Sequence, residues 1–271
     1  MQVAIQTKTS TGAETKDIGP FSLVEDEAKR IVRSAGQCEV TLRLMGGLAI
    51  QSHCHCRGPH SAHLLEHSDI VLFGLSEQWN GIFTVFHQLG YSSNREFNAW
   101  YGHNRLQFLR EEHQKNVDVF LDKFAMEHTL DFRSRLWLDD LTIPVTDLLL
   151  TKLQIARFEA KDARDVVVIL EDHKLGHSDD GDTINLDYLG DVCSQDWRLY
   201  RSVMYSIDRI KECISQDAPD ITWSENLSQK VETIRESLMT TRKGPRWKAR
   251  SIIGDKVMWY NEVEVGQCEL D

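Results

Sequence analysis

The chain has 271 residues and a formal net charge of −11, and 41% of its residues are hydrophobic. This composition is that of a folded globular protein, so disorder along the whole chain is excluded. No apolar run approaches the roughly 20 residues of a membrane span, and the polar N-terminal residues do not resemble a secretory signal, so we expect a cytoplasmic protein without a membrane partner.

Helices and strands alternate in the predicted front half of the chain. Apolar spacing and Gly or Pro boundaries define each of them. In chain order they are a helix over 20–35, a strand over 40–45, a helix over 48–54, a strand over 69–73, a helix over 76–89 and paired strands over 105–110 and 116–122. The class is therefore α+β.

After Pro144 the pattern becomes helical. Apolar residues recur at helical spacing over 146–159, 162–173, 197–214 and 224–239. The sequence therefore predicts two domains, an α+β domain over 1–143 and a mostly helical domain over 144–271.

Charge is distributed unevenly in the predicted helical domain. Residues 171–196 hold eight acids and one lysine, whereas 242–256 hold six basic residues and one acid. The basic segment, with Trp247 and Trp259 nearby, could contact RNA through charge and base stacking. The alternative is a basic surface that balances the acidic segment.

A glycine pair and two acids stand out in the front half. Gly46 and Gly47 lie between a predicted strand and a helix, where glycine allows close approach of a ligand and helix amides favour a phosphate. Asp69 and Asp118 lie on apolar strands, and acids in such positions usually need a partner or a metal. A glycine pair alone more often marks a simple turn.

Charged residues also cluster where the helical half begins. Lys152 is on a predicted helix and would suit a polyphosphate held beside carboxylates, although a solvated helix lysine is the simpler interpretation. Lys161, Asp162 and Asp165 form a charged group at the start of the next helix, with Asp162 near its cap. Ligand contact and helix capping explain this group equally well.

Five short segments together resemble the DNA polymerase beta-type nucleotidyltransferases, and in particular putative nucleotidyltransferases related to AbiEii-like toxins of abortive-infection and toxin–antitoxin systems. The segments are 45–50 (MGGLAI), 69–73 (DIVLF), 117–122 (VDVFLD), 149–154 (LLTKLQ) and 161–165 (KDARD). The resemblance implies a nucleotidyltransferase fold with a small mixed sheet and helices.

The resemblance also implies a site and a reaction. Asp69 and Asp118 would bind Mg²⁺ or Mn²⁺ and act in catalysis with Lys152. Gly46, Gly47, Lys161, Asp162 and Asp165 would contact the nucleoside triphosphate. The expected reaction moves a nucleotide to an acceptor hydroxyl, such as a tRNA end, with RNA bound through 242–256 and an antitoxin protein as a further partner.

One residue departs from the family pattern. The family carries two acids two residues apart on the first strand, whereas this chain has Asp69 followed by Val71. Valine cannot ligate a metal. The alternative function is therefore a catalytically inactive member that binds a nucleotide or a partner.

A third hypothesis concerns histidines and cysteines. Five of the 11 histidines lie in residues 53–67, together with Cys54 and Cys56. Such a cluster could hold a transition metal, although no standard zinc spacing is met. The alternative is a His-rich surface loop.

Overall fold

The computed structural model describes residues 20–54, 69–110, 115–181, 183–217 and 224–262. The front half alternates helices with strands. Its elements are α1 (Pro20–Gln37), β1 (Leu42–Met45), α2 (Gly46–His53), β2 (Ile70–Gly74), α3 (Trp79–Gln88), β3 (Ser92–Ser93), α4 (Arg95–Tyr101), β4 (Arg105–Arg110), β5 (Lys115–Leu121), β6 (Phe124–Ala125) and β7 (Thr129–Leu130).

A small mixed sheet forms the centre of this half. Its strand order is β1-β2-β5-β4-β3, and β2 and β5 are parallel whereas the other pairs are antiparallel. Every residue of β2 is buried, as expected for an inner strand covered on both faces. The predicted α+β class with a small mixed sheet is confirmed.

The back half is largely helical. Its elements are α5 (Val145–Leu153), α6 (Ala160–Asp172), β8 (Lys174–Gly176), β9 (Thr183–Asn185), α7 (Leu186–Gln195), α8 (Trp197–Asp217), α9 (Glu225–Thr240) and α10 (Pro245–Ile253). β8 and β9 form a separate parallel pair within the acidic segment. No helix in the described ranges is both long and apolar enough to cross a bilayer.

The two halves share one hydrophobic core. Buried apolar residues from α1 through α9 belong to a single cluster, and Ile143 and Val145 are both part of it. The predicted domain boundary runs between these two residues. A division into two separately folding domains therefore stays a prediction.

Two predicted helices differ from the structure. The helix expected over 76–89 begins as a 3-10 turn (Ser76–Gln78) before α3, and the helix expected over 146–159 ends at Leu153. Residues 154–159 form a connection, and Glu159 then caps α6. This connection supplies part of the candidate site.

A hydrogen-bonded group around Glu27 ties α1 to the sheet. Its carboxylate accepts hydrogen bonds from Arg30 (2.7 Å), Tyr91 (2.7 Å) and Arg110 (3.0 Å). Burial by itself would raise the pKa of Glu27, but these donors outweigh burial and lower the pKa from 4.5 to about 2.

We therefore expect acid to weaken the fold through Glu27. The folded-state pKa lies below that of the unfolded chain, so the stabilisation is complete above pH 4.5 and is lost as the pH falls towards 2. Urea unfolding measures the free energy of unfolding at pH 7 and at pH 3. The difference between the two values should be smaller for Glu27→Gln than for the native chain. Glu25→Gln, on the same helix, is the matched control and should retain the native pH dependence.

Candidate functional site

One cavity of about 300 Å³ brings together most of the predicted site residues. It lies where the start of α2 and the start of β2 meet α5 and α6, and we call it the main cavity. Predicted residues that line it are Gly46, Gly47, Asp69, Lys152, Lys161, Asp162 and Asp165. These residues come from three regions of the chain, at 46–47, 69 and 152–165, so their convergence is a property of the fold.

The glycine pair forms the first turn of α2. Gly46 has a φ of +70°, in the left-handed region that favours glycine, and a Cβ atom added there would lie 3.9 Å from the Val71 side chain. Met45 precedes the helix and offers its amides no side-chain hydrogen bond. The helix therefore presents its N-terminal amides at the cavity wall, where an anion is stabilised.

Asp69 and Val71 both line the main cavity. Asp69 is half-buried and immediately precedes β2, whereas Val71 is 5% exposed within the strand. Their separation of two residues places both side chains on one face. Residue 71, where the nucleotidyltransferases that the sequence resembles have their second acid, therefore places an apolar side chain at the cavity wall.

Asp118 does not line the main cavity, contrary to the expectation that it would lie there with Asp69. It is 4% exposed, and its Oδ1 accepts a hydrogen bond of 2.9 Å from Nε of Arg105. Gln107 donates a second, longer bond of 3.4 Å to the same oxygen. A buried carboxylate needs such compensation, and a basic partner on the adjacent strand supplies it.

Lys152 is held by a buried carboxylate. Its Nζ lies 2.7 Å from Oδ2 of Asp165, whose side chain is 2% exposed. Burial by itself would lower the pKa of Lys152, but the carboxylates of Asp165 and Asp162 raise it, so the lysine stays charged at neutral pH. Lys152 is therefore fixed in position as a cation at the cavity wall.

Asp162 has a capping role. Its side chain accepts a 3.1 Å hydrogen bond from the Glu159 amide, and the two residues form a capping box at the start of α6. Burial raises the pKa of Asp162, against the opposing effect of Lys152. The structure therefore shows the capping alternative for Asp162, while Asp162 still lines the main cavity.

Sequence reasoning missed three charged residues that line the main cavity. Glu127 comes from the segment between β6 and β7, and Arg157 and Glu159 come from the connection between α5 and α6. Glu127 accepts a hydrogen bond from the Ala156 amide, and burial raises the pKa of Glu127. The helix predicted over 146–159 conceals Arg157 and Glu159, and the sequence predicts no element for the segment that holds Glu127.

The cavity combines acids with cations. Five carboxyl groups line it, and the basic residues that line it are Lys152, Arg157 and Lys161, of which the last two are exposed. This excess of acids would repel a bare polyphosphate. A polyphosphate bound to a divalent cation carries less negative charge and would be tolerated. Among the described residues, no group of three or more His, Cys, Asp or Glu side chains could hold a metal ion.

The histidine cluster falls mostly outside the described residues, which include only His53 and Cys54. His53 is buried and its Nε2 lies 2.6 Å from the Thr142 hydroxyl. Its ring also meets the His173 ring edge-on, with 5.6 Å between centroids. His53 therefore packs against the back half of the chain, and the transition-metal hypothesis stays untested.

The tryptophans predicted to stack on RNA are engaged within the fold. The Trp247 indole donates a 3.1 Å hydrogen bond to the Cys193 carbonyl, and the Trp259 indole donates one of 3.1 Å to the Ser202 hydroxyl. Arg250 bonds the Gly254 carbonyl. The predicted contact of residues 242–256 with RNA therefore depends on the exposed basic residues Arg242, Arg246, Lys248 and Lys256.

Neither a family model nor a curated protein matches this chain.

Proposed function

We propose that this chain binds a nucleoside triphosphate together with one Mg²⁺ in the main cavity, and that it no longer transfers nucleotides efficiently. The observation that carries the proposal is the convergence of the α2 N-terminus, Asp69 and Lys152 on one cavity. Helix amides and a fixed lysine suit phosphate oxygens, and a carboxylate beside them suits the accompanying cation.

One metal fits the residues of the cavity. Mg²⁺ keeps several waters and is commonly bound by one or two carboxylates together with substrate phosphates. Asp69 would supply the carboxylate, and the triphosphate would supply oxygens. The excess of acids around the cavity favours a nucleotide that arrives with its cation.

Two metals do not fit. Two-metal transfer requires carboxylates that hold a pair of cations about 3.5–4 Å apart, one for the attacking and one for the leaving oxygen. Val71 offers no ligand, and Asp118 is bonded to Arg105 outside the cavity lining. This arrangement favours nucleotide binding over metal-dependent transfer to an acceptor hydroxyl.

Calorimetric titration with each of the four Mg²⁺–nucleoside triphosphates tests the proposal. We expect Asp69→Asn to weaken the binding of the preferred nucleotide at least about tenfold, since it removes the charge facing the metal. Excess EDTA should weaken native binding to a similar level. Asp140→Asn, whose side chain is fully exposed outside the cavity, is the matched control.

Two results would contradict the proposal. If neither Asp69→Asn nor EDTA changes the affinity for the nucleotide, then the nucleotide does not bind in the main cavity through a metal on Asp69. Rapid Mg²⁺-dependent incorporation of labelled nucleotide into RNA or protein by the native chain would show an active transferase instead.

A further inference from the structure

Asp118 leaves the sheet on the same face as Val71, which lines the main cavity. Val71 lies directly opposite Asp118 in the parallel register of β2 and β5. Side chains opposite each other on adjacent strands leave the sheet on the same face. Because Val71 lines the main cavity, the Asp118 side chain also starts from the face of the sheet that bears the cavity.

Arg105 draws this carboxylate towards β4. Gln107 is opposite Asp118 and Arg105 is opposite Phe120, so both donors lie across the β4–β5 pair, on the side away from β2. The Arg105 and Asp118 side chains are each 6% exposed, and Nε lies 2.9 Å from Oδ1. A guanidinium and a carboxylate that are this close and this little exposed to solvent form a strong charge-assisted hydrogen bond.

Aromatic rings hold the guanidinium in place. Its Cζ lies 4.9 Å from the centroid of Phe120 and 5.6 Å from that of Phe97. Cation–π contacts of this kind stabilise a desolvated arginine. The pair is therefore an ordered part of the sheet rather than a transient surface contact.

We propose that Arg105 sets the metal stoichiometry of the cavity: its guanidinium takes the place of a divalent cation on Asp118, so that the site holds one metal with its nucleotide rather than two. The inference about stoichiometry rests on the proposed nucleotide binding. The blocking of Asp118 by Arg105 is a property of the chain alone and can be measured without nucleotide.

Val71 is then only one of two features that exclude a second metal. A second metal needs both a carboxylate at position 71 and an Asp118 released from its partner. An acid introduced at position 71 alone leaves Asp118 bonded to Arg105. Both positions must change before Asp118 can add to cation binding.

Mn²⁺ titration without nucleotide, followed by electron paramagnetic resonance, tests the blocking directly. We expect Val71→Asp/Arg105→Gln to bind Mn²⁺ at least about tenfold more tightly than Val71→Asp. Val71→Asp/Arg105→Lys keeps a cation beside Asp118 and is the matched control, with an affinity close to that of Val71→Asp. Equal affinities of Val71→Asp and Val71→Asp/Arg105→Gln would overturn the proposal.

A second experiment avoids disruption of the buried pair. Asp118→Asn keeps an oxygen for Arg105, so the chain should remain folded, which circular dichroism checks. With Mn²⁺ and the best-bound of the four α,β-methylene nucleoside triphosphates, we expect a metal affinity within about twofold of native and one Mn²⁺ per chain. A loss of tenfold or more, or two Mn²⁺ ions per native chain, would show that Asp118 is a metal ligand and overturn the proposal.

The two experiments separate the inference from the proposed function. If the native chain binds none of the nucleotides, the proposed function is wrong, and the Mn²⁺ titration of the Val71→Asp variants still decides the role of Arg105. If Val71→Asp/Arg105→Gln does not fold, the Mn²⁺ affinity of Asp118→Asn decides whether Asp118 is a metal ligand.

Discussion

Replacing Arg135 by methionine is expected to lower the free energy of unfolding by about 3–5 kcal/mol, because it leaves a buried carboxylate without its partner. The Arg135 side chain is 9% exposed and donates a 2.7 Å hydrogen bond to Asp147, whose side chain is fully buried. Its other nitrogens bond Asp179 at 2.8 and 3.0 Å, and its Cζ lies 3.5 Å from the centroid of the Tyr188 ring.

The physical reason lies in the burial of Asp147. Burial raises the pKa of Asp147 to about 6 even though Arg135 acts to lower it, so loss of the guanidinium would raise this pKa further. The arginine joins the segment before α5 to the connection between β8 and β9 through Asp179, and to the start of α7 through Tyr188. Its removal should therefore loosen the packing of the back half as well.

Arg133→Met is the matched control for Arg135→Met. Arg133 lies two residues earlier and pairs with Asp131, but its side chain is 50% exposed. Exposed ion pairs contribute little to stability, so this variant should unfold at nearly the native urea concentration. Equal urea midpoints for the two variants would show that the buried group does not stabilise the fold as argued.

Lys152→Met is expected to impair both stability and ligand binding. It would remove the cation that lies 2.7 Å from the buried Asp165 carboxylate, and breaking a buried ion pair in this way costs about 3–5 kcal/mol. This is also the cation that we assign to the phosphates, so affinity for the Mg²⁺–nucleotide should fall at least about tenfold. Urea unfolding and calorimetry measure the two effects separately.

Two further variants separate the effects of Lys152. Lys152→Met/Asp165→Asn removes both charges, and we expect it to recover much of the lost stability while nucleotide binding stays weak. Lys161→Met, at the exposed rim of the same cavity, should leave stability within about 0.5 kcal/mol of native. A double variant no more stable than Lys152→Met would show that packing, rather than charge, sets the cost.

The four longest strands, β1, β2, β4 and β5, and the order of the charged motifs were predictable because their signals are local. The strands of two or three residues, β3 and β6 to β9, were not predicted. The glycine pair follows a strand, the acids lie in apolar runs, and Lys161, Asp162 and Asp165 precede an apolar helix face. The pairing of Asp118 with Arg105 was not predictable, since it depends on the register of two strands and on a side chain turning across the sheet. The sequence pattern therefore predicts Asp118 as a metal ligand, whereas the structure bonds it to Arg105, which lies diagonally across from it on the neighbouring strand.

The parts of the site that depend on helix boundaries were also missed. Apolar residues continue past Leu153 at helical spacing, so no local sequence signal indicates that α5 ends there. The capping box of Glu159 and Asp162 fixes the start of α6 and leaves a short connection, from which Arg157 reaches the cavity. The RNA acceptor and the antitoxin partner stay predictions.

A crystal structure of the chain with Mn²⁺ and an α,β-methylene nucleoside triphosphate would test the proposed one-metal nucleotide site, because anomalous scattering locates each metal. We expect a triphosphate at Gly46 and Gly47, one Mn²⁺ on Asp69, and Asp118 still bonded to Arg105. Two Mn²⁺ ions held jointly by Asp69 and Asp118, or a nucleotide bound elsewhere on the chain, would contradict it.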